Sequence, residues 1–437
     1  MHTTAIICEL DPLHRGHEYL IQQARAAGAE CVLCVMSGAF CQRGEPSTFP
    51  KHTRARAALA AGADAVLELP FPYSCASAEY FASGAVGVIA AVGGVDTLAF
   101  GCECADAQAL TLAAERTASA EFSSEYDRLA AEHPELGAAA LLERTYTALY
   151  GESDLFSGAN NVLAIEYIKA ARRLSLNIRF HAVRRVGAGH GDMNVPARET
   201  IPPVGEGLAP SRELSTNRTV ILEGARATEG SEGEMGETPS HFFASASLIR
   251  EKLRTREGSV AEYLPDSTRD IILADTHPLP SLACAERAIL AHFRLHPLAA
   301  ETAELAGGLG NRMTDAACRA HSYAEFFELS RTKKYTDARL RRAVVFSMCG
   351  VTDADLRTPP AYTTLLGLSP SGAAFLSERK KHLAIPIVSN PAMLGTLPES
   401  AERARTLSRR AEGLRALCTE QIGETEGTLR TPPVIVK

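Results

Sequence analysis

Asp11-Pro12-Leu13-His14-Arg15-Gly16-His17 sits between two runs of different period. Before it, Ala5-Ile6-Ile7-Cys8 is continuously apolar, as a strand buried on both faces would be. After it, Glu18 to Ala27 follows the helical period. A strand, a tight turn with glycine and a helix start together make an anion site. The first N–H groups of the helix lack backbone partners and lie at the positive end of its dipole. Gly16 has no Cβ and admits a ligand close to the backbone. His14 and His17 can both donate to phosphate oxygens and stabilise a departing pyrophosphate. The pattern His-x-Gly-His arises by chance about 0.03 times in a chain of this composition. Two ordinary histidines at a polar helix cap are therefore the weaker explanation.

Working outward, the first 190 residues alternate strands and helices. Strands are predicted at Ala5–Cys8, Cys31–Met36, Ala65–Leu69, Thr97–Gly101 and Ile178–Val186, with helices at 17–27, 51–61, 75–92, 106–117 and 160–174. This makes a mainly parallel, Rossmann-like α/β sheet with helices on both faces, which binds ligands at the carboxyl ends of its strands. A further helical stretch, 124–150, is placed as a cap over the site. Residues 193–240, rich in Gly, Glu, Pro, Ser and Thr, read as an insertion within a catalytic domain of residues 1–255. The second domain, 256–437, is mainly helical from 270 to 350. It then carries a small α/β unit: a strand Tyr362–Leu368, a helix 371–381 and a strand Ile385–Val388. A charged helix, 399–421, and a loose tail, 424–437, end the chain.

At 437 residues and a net charge of −7, the chain is not a generally basic nucleic-acid binder, although a local basic patch is compatible with that balance. No apolar run reaches membrane-spanning length, and the start lacks a basic signal-peptide region, so a soluble cytoplasmic protein is expected. Eleven scattered cysteines point to reduced thiols. Cys31-Val-Leu-Cys34 lies in an apolar strand, where positions i and i+3 face opposite ways, so a core role is expected and no metal site is assigned.

Several segments, in order along the chain, carry a resemblance to a known family. They include Glu9 to His17, Gln42-Arg-Gly-Glu-Pro46, Lys51 with Arg54, Glu68-Leu-Pro70, Asn160-Asn161, Arg185-Val-Gly-Ala-Gly189, Ser245-Ala-Ser-Leu-Ile-Arg250 and Thr332-Lys-Lys-Tyr335 with Arg341-Arg342. The chain resembles the bacterial tRNA(Met) cytidine acetate ligases, a branch of the HxGH nucleotidyltransferases. The resemblance implies activation of acetate with ATP to acetyladenylate and pyrophosphate. The acetyl group then passes to the exocyclic amine of the wobble cytidine of elongator tRNA(Met). It implies catalytic roles for His14 and His17. ATP contacts would come from Ile7, Cys8, Glu9, Leu10, Asp11, Pro12, Leu13, His14, Arg15, Gly16, His17, Glu18, Tyr19 and Leu20. Gly101, one of Asn160 and Asn161, and Arg185 with Arg184 would add to these. Mg²⁺ is expected with ATP, and a homodimer is left open. The family usually carries Asn at the place of Asp11, Phe at Leu13 and often Asn at Arg15. Asp11 beside phosphates is unfavourable unless Mg²⁺ or Arg15 offsets it.

The roles divide further. Gly101 ends a strand and is expected to meet the adenosine across the switch point of the sheet. The asparagines sit at a helix start, where a simple N-cap is the competing explanation. Ser245, Ser247 and Arg250 resemble a second phosphate-binding segment at a helix N-terminus. Lys51 and Arg54 open the helix after the second strand, where a solvated helix face is expected and contact with phosphate or the tRNA is the alternative. The segment Arg331-Thr-Lys-Lys-Tyr-Thr-Asp-Ala-Arg-Leu-Arg-Arg342 has six basic residues and one acid. Arg331, Lys333, Lys334, Arg339, Arg341 and Arg342 are assigned to the tRNA backbone, with Tyr335 available to stack on a base. Two other readings stay open: a small-molecule adenylyltransferase of cofactor biosynthesis, and a non-catalytic RNA-binding protein.

Overall fold

The computed structural model describes residues 1–185, 198–200, 240–242, 244–255, 259–296, 298–299, 301–423 and 430–436. Strands β1 (Thr3–Cys8), β2 (Cys31–Ser37), β3 (Ala65–Leu69), β4 (Thr97–Cys102) and β5 (Arg179–Arg184) form one parallel sheet in the order β3-β2-β1-β4-β5. Helices α1 (Arg15–Ala26), α2 (Lys51–Ala60), α3 (Ala78–Val92), α4 (Ala107–Thr117), α5 (Ala120–Glu132), α6 (Ala138–Tyr150) and α7 (Ala159–Arg173) connect them. The strand order reverses at β1. A crevice therefore opens at the carboxyl ends of β1 and β4, where the His14–His17 turn begins.

Each apolar run supplies both faces of the sheet. Cys31, Leu33 and Val35 of β2 pack with α3, α4 and α7, while Val32, Cys34 and Met36 join the opposite core with α1 and α2. Cys31 and Cys34 thus lie in different cores, as the two-residue period requires. The expected helix at 124–150 is two helices, α5 and α6, because Pro134 follows the first and Gly137 caps the second. Neither contributes a residue to the cavity described below, so they do not cap it.

The antiparallel pair β6 (Arg198–Thr200) and β7 (Ser240–Phe242) falls within and at the end of the expected insertion, the rest of which lies outside the described residues. Helix α8 (Ala246–Thr255) follows, then α9 (Asp266–Leu273), α10 (Glu286–Leu295), α11 (Leu309–Arg319), α12 (Tyr323–Ser330), α13 (Asp337–Cys349) and α14 (Asp353–Arg357). Next come β8 (Thr363–Leu368), α15 (Pro370–Arg379), β9 (Ile387–Val388), α16 (Glu402–Leu417) and β10 (Val434–Ile435). The expected strand–helix–strand unit forms, but it is not separate from the catalytic sheet. Strand β8 adds antiparallel to β3, β9 pairs with β8, and β10, from the stretch read as a loose tail, pairs with β8 as well. A third core joins α10–α13 and α16 to Ala39, Phe40, Phe71 and Cys75 of the loops after β2 and β3.

Lys51 and Arg54 are buried rather than solvated. Lys51 bonds both Glu68 oxygens at 3.0 Å and Glu412 of α16 at 2.8 Å. Arg54 is fully enclosed. Its guanidinium donates to the carbonyls of Glu9 (2.7 Å), Ser37 (2.9 Å), Gly38 (2.5 Å) and Phe49 (3.1 Å). Replacing it with methionine orphans these acceptors. Arg54→Met is expected to lower stability by about 3–5 kcal/mol, read as a fall in the urea midpoint at unchanged slope. Arg54→Lys, lacking the planar fork, is expected to restore less than half of that.

Candidate active site

A cavity of about 230 Å³ occupies the crevice. One wall is the turn after β1, where His14 is the N-cap of α1. Its Nδ1 accepts the Gly16 N–H at 3.1 Å, while the His14 N–H is donated to Nδ1 of His17 at 3.3 Å. This reciprocal cap satisfies two orphan donors of the helix. It also fixes both tautomers: each Nδ1 is an acceptor, so the proton sits on Nε2, on the far side of each ring. The rings stack with centroids 3.8 Å apart. A Cβ on Gly16 would approach the His14 ring to 3.1 Å, so glycine is what lets the ring fold back over the cap. Burial, helped by the Arg185 guanidinium, brings the His17 pKa down to about 3. The ring is therefore neutral at physiological pH.

The structure separates the expected ATP contacts into two groups. Ile7, Cys8, Glu9, Leu10, Asp11, His14, Gly16, His17, Tyr19, Leu20, Gly101, Asn160, Arg184, Arg185, Ser245 and Arg250 line the cavity. Pro12, Leu13, Arg15, Glu18, Asn161 and Ser247 do not. Leu13 is packed in the core with α1 and α2. Arg15 turns outward to the Glu262 carbonyl (3.4 Å) and Asp266 (3.5 Å), and Glu18 accepts from Ser267 at 2.8 Å. Ser247 is instead held to Arg250 at 3.2 Å, and Ser245 caps α8 by accepting the Leu248 N–H at 3.1 Å.

Arg15 does not offset the Asp11 charge, which is met instead by backbone amides and by the nearby Arg250 guanidinium. The Asp11 carboxylate accepts the Thr48 N–H (2.8 Å), the Thr48 hydroxyl (2.9 Å) and the Phe49 N–H (3.3 Å). The Asp11 carbonyl in turn accepts from Arg250 at 2.8 Å, which ties α8 to the turn.

Neither asparagine is an N-cap, since Gly158 precedes α7. The Glu103 carboxylate caps instead, accepting the Asn161 N–H at 2.8 Å and the Asn160 side-chain amide at 2.6 Å. Asn161 is buried behind the wall, where its Oδ1 accepts the Glu103 and Cys104 N–H groups at 3.0 and 3.2 Å. Asn160 alone of the pair reaches the cavity. Sequence reasoning missed Leu163 and Tyr167, which lie at helical spacing i+3 and i+7 from Asn160, and also Phe81, Phe100, Gln42, Arg43 and Glu45. For the last three the Gln42-Arg-Gly-Glu-Pro46 segment was a visible signal without an assigned role. Burial pushes the guanidiniums of Arg43 and Arg185 below their ordinary value. Glu9 and Glu45 beside Arg43, and Glu103 beside Arg185, oppose that fall without cancelling it, and partly desolvated positive charge of this kind suits an anion.

The basic segment is mostly spoken for. Arg331 pairs with Glu328 and Asp337, and Arg339 with Glu304. Arg342 is buried and bonds Glu304 at 2.6 Å, which removes it from any RNA surface. Arg341 donates to the Arg43 carbonyl at 3.2 Å. Tyr335 is core, its hydroxyl bound to the Gly307 carbonyl at 2.7 Å, so it offers no stacking face. Lys333 and Lys334 are exposed.

A parallel sheet with a His-x-Gly-His turn at its switch point and cationic side chains around it defines a nucleotidyltransferase. A model of the HIGH Nucleotidyl Transferase family matches residues 1–201 and 227–426. A tRNA(Met) cytidine acetate ligase of Listeria monocytogenes serotype 4b is 31% identical over 95% of this chain and 96% of its own. One from Acetivibrio thermocellus is 30% identical over 89% and 88%. TmcAL of Thermotoga maritima superposes with a TM-score of 0.82 in its apo form and 0.80 bound with alpha-thio ATP, at 25% identity over the full length of both chains. The chain belongs to the tRNA(Met) cytidine acetate ligase family.

The His17 geometry is testable by titration. A histidine free in solution gains a proton near 6.5, whereas His17 refuses it until about 3. Long-range ¹⁵N NMR is expected to show a neutral Nε2–H ring from pH 8 to pH 5. The unfolded chain binds that proton first, so the stability this group confers falls as pH drops from above 6.5 toward 3. A ring that titrates near 6.5 contradicts the geometry.

Proposed function

We propose that the chain is an ATP-dependent tRNA cytidine acetate ligase acting in the cytoplasm on elongator tRNA(Met). The observation that carries the reading is the pair of locked Nε2–H donors at the switch point, faced by Arg184, Arg185 and Arg250. In the first step an acetate oxygen attacks the α-phosphorus of ATP, the bond to the β-phosphate oxygen breaks, and pyrophosphate leaves. His14 and His17 donate to the phosphate oxygens as charge develops on the leaving group. Acetate is already a carboxylate near neutral pH, so this step needs no base. The acetyladenylate stays bound, and the cytidine amine then displaces AMP.

Among the described residues no group of three or more His, Cys, Asp or Glu is placed to hold a metal. Asp11 is committed to Thr48 and Phe49, so Mg²⁺ would enter with the ATP phosphates and not on a ligand cluster among the described residues, and no step is routed through it. Among the described residues no helix is long and apolar enough to cross a membrane. Lys333 and Lys334 are proposed as the accessible part of the tRNA footprint, with Arg331, Arg339 and Arg341 available only by exchanging their present partners.

Purified protein incubated with ATP, Mg²⁺, labelled acetate and bacterial tRNA is expected to place label in N4-acetylcytidine. His17→Ala should lower the yield rate by about 10²–10³-fold. Transfer dependent on a nucleoside monophosphate or phosphopantetheine in place of acetate would overturn the reading. Charge reversal at Lys333 and Lys334 is expected to weaken tRNA binding while acetate-dependent ATP–pyrophosphate exchange persists. Equal loss of both contradicts that division.

A further inference from the structure

Among the described residues, three acidic ones line the cavity: Glu9, Asp11 and Glu45. Asp11 spends both oxygens on the Thr48 and Phe49 N–H groups and the Thr48 hydroxyl. Glu45 is paired with Arg250 at 3.5 Å and Arg341 at 3.8 Å. Glu9 differs. Its Oε1 accepts the Gln42 N–H at 2.6 Å, and its backbone carbonyl is held by Arg54 at 2.7 Å, while its Oε2 has no hydrogen-bond partner among the described residues. The side chain is thus anchored on one oxygen, at the end of β1, and presents the other to the cavity.

The second step has a requirement the first lacks. The exocyclic amine of cytidine is conjugated with its ring and is a weak nucleophile. As its nitrogen bonds to the acyl carbon it must shed a proton, or a cationic adduct accumulates. The histidines do not serve, since each Nδ1 already accepts a hydrogen bond and each Nε2 carries a proton. We propose that Glu9 is the proton acceptor for acyl transfer in the reaction described above, a role that rests on that reading. The amine nitrogen attacks the acyl carbon of the adenylate and a C–N bond forms. The bond from that carbon to the phosphate oxygen breaks, and its electron pair leaves with AMP. The amine proton passes to Glu9 Oε2 and from there to solvent.

The surroundings fit this role. The titratable and charged groups around Glu9 are Cys8 on β1, Asp11 in the turn, Cys41 and Arg43 from the loop after β2, Arg54 on α2, Cys75, Tyr167 on α7 and Arg250 on α8. Burial holds Cys41, Cys75 and Tyr167 well above their ordinary values, and the Cys34 thiol with burial does the same to Cys8. All four stay neutral through the physiological range and take up no proton there. The Glu9 carboxyl is itself raised by burial, against the Gln42 N–H, with Asp11 adding to the rise. A carboxylate raised in this way is a better proton acceptor than a solvated one.

The test compares the two half-reactions in full-length protein. Glu9→Gln preserves the shape and the acceptor for Gln42. The ratio of acetyl transfer to tRNA over acetate-dependent ATP–pyrophosphate exchange is expected to fall by about 10² or more. In single-turnover transfer from preformed adenylate, the wild-type rate should fall as pH drops through the carboxyl's titration. Glu9→Asp should keep that acid limb and Glu9→Gln should lose it. An unchanged ratio, or an acid limb that survives in Glu9→Gln, overturns the assignment. If Glu9→Gln loses exchange as well, the profiles of wild type and Glu9→Asp decide, and a flat profile in both overturns it. Normal exchange and transfer by wild type alongside those results would leave the ligase reading standing. A wild type that acetylates no cytidine overturns both.

Discussion

The cavity rests on the enclosed guanidinium of Arg54. A buried cation is tolerable only when its donors find acceptors, and here all three nitrogens donate to backbone carbonyls from three places: the end of β1, the end of β2 and the residue pair before α2. Those segments carry the residues that face the ligand, so satisfying the charge and positioning the wall are one act. Asp11 does the complementary work, gathering N–H groups of Thr48 and Phe49 just before α2. One buried cation collects acceptors and one buried anion collects donors, and between them the loop from Gly38 to Phe49 has little freedom left.

The helical half of the chain buttresses this wall. Gly44 has φ +79°, and a Cβ there would stand 2.6 Å from the Arg342 backbone nitrogen, so the tip of the loop lies flat against α13. Arg415 of α16 donates to the Ser47 carbonyl at 3.0 Å, and Lys51 joins Glu68 to Glu412. A buried ion cluster of this sort recovers little net stability once desolvation is counted. What it does fix is position, since the charges are satisfied at one docking of α16 against α2. The described residues that line the cavity all lie between Ile7 and Arg250, and the helical half holds their loop in place from behind.

Much of this was legible in the sequence, for identifiable reasons. Strands buried on both faces announce themselves as short apolar runs, and five of them came out within about two residues. The His14–His17 turn was legible because helix caps and phosphate sites use the same local chemistry. What failed was whatever depended on distant partners. Arg54 and Lys51 look like a solvated face until Glu9, Ser37 and Glu412 arrive from elsewhere. Strand β8 gives no local sign that it will add antiparallel to β3. Asn160 and Asn161 are adjacent, yet one residue turns a helix by about 100°, so one meets the cavity and the other the core. The basic segment looked free because Glu304 and Glu328, which neutralise much of it, lie outside it.

The distribution of charge in the cavity follows from asking one pocket to handle two kinds of reacting group. An incoming nucleotide brings several negative charges, and any carboxylate facing them raises the cost of binding. Asp11, in the turn that leads to the histidines, is held by backbone amides, while Arg184 and Arg185 at the end of β5 line the cavity. An amine acceptor needs a group able to take a proton, and Glu9, anchored by Gln42 at the end of β1, is the residue proposed for it. Arg43 and Arg250 flank that carboxylate, so it shares the crevice with cationic side chains and does not face the phosphates unaccompanied. Both requirements therefore meet at one switch point, with His14 and His17 on the turn that follows β1.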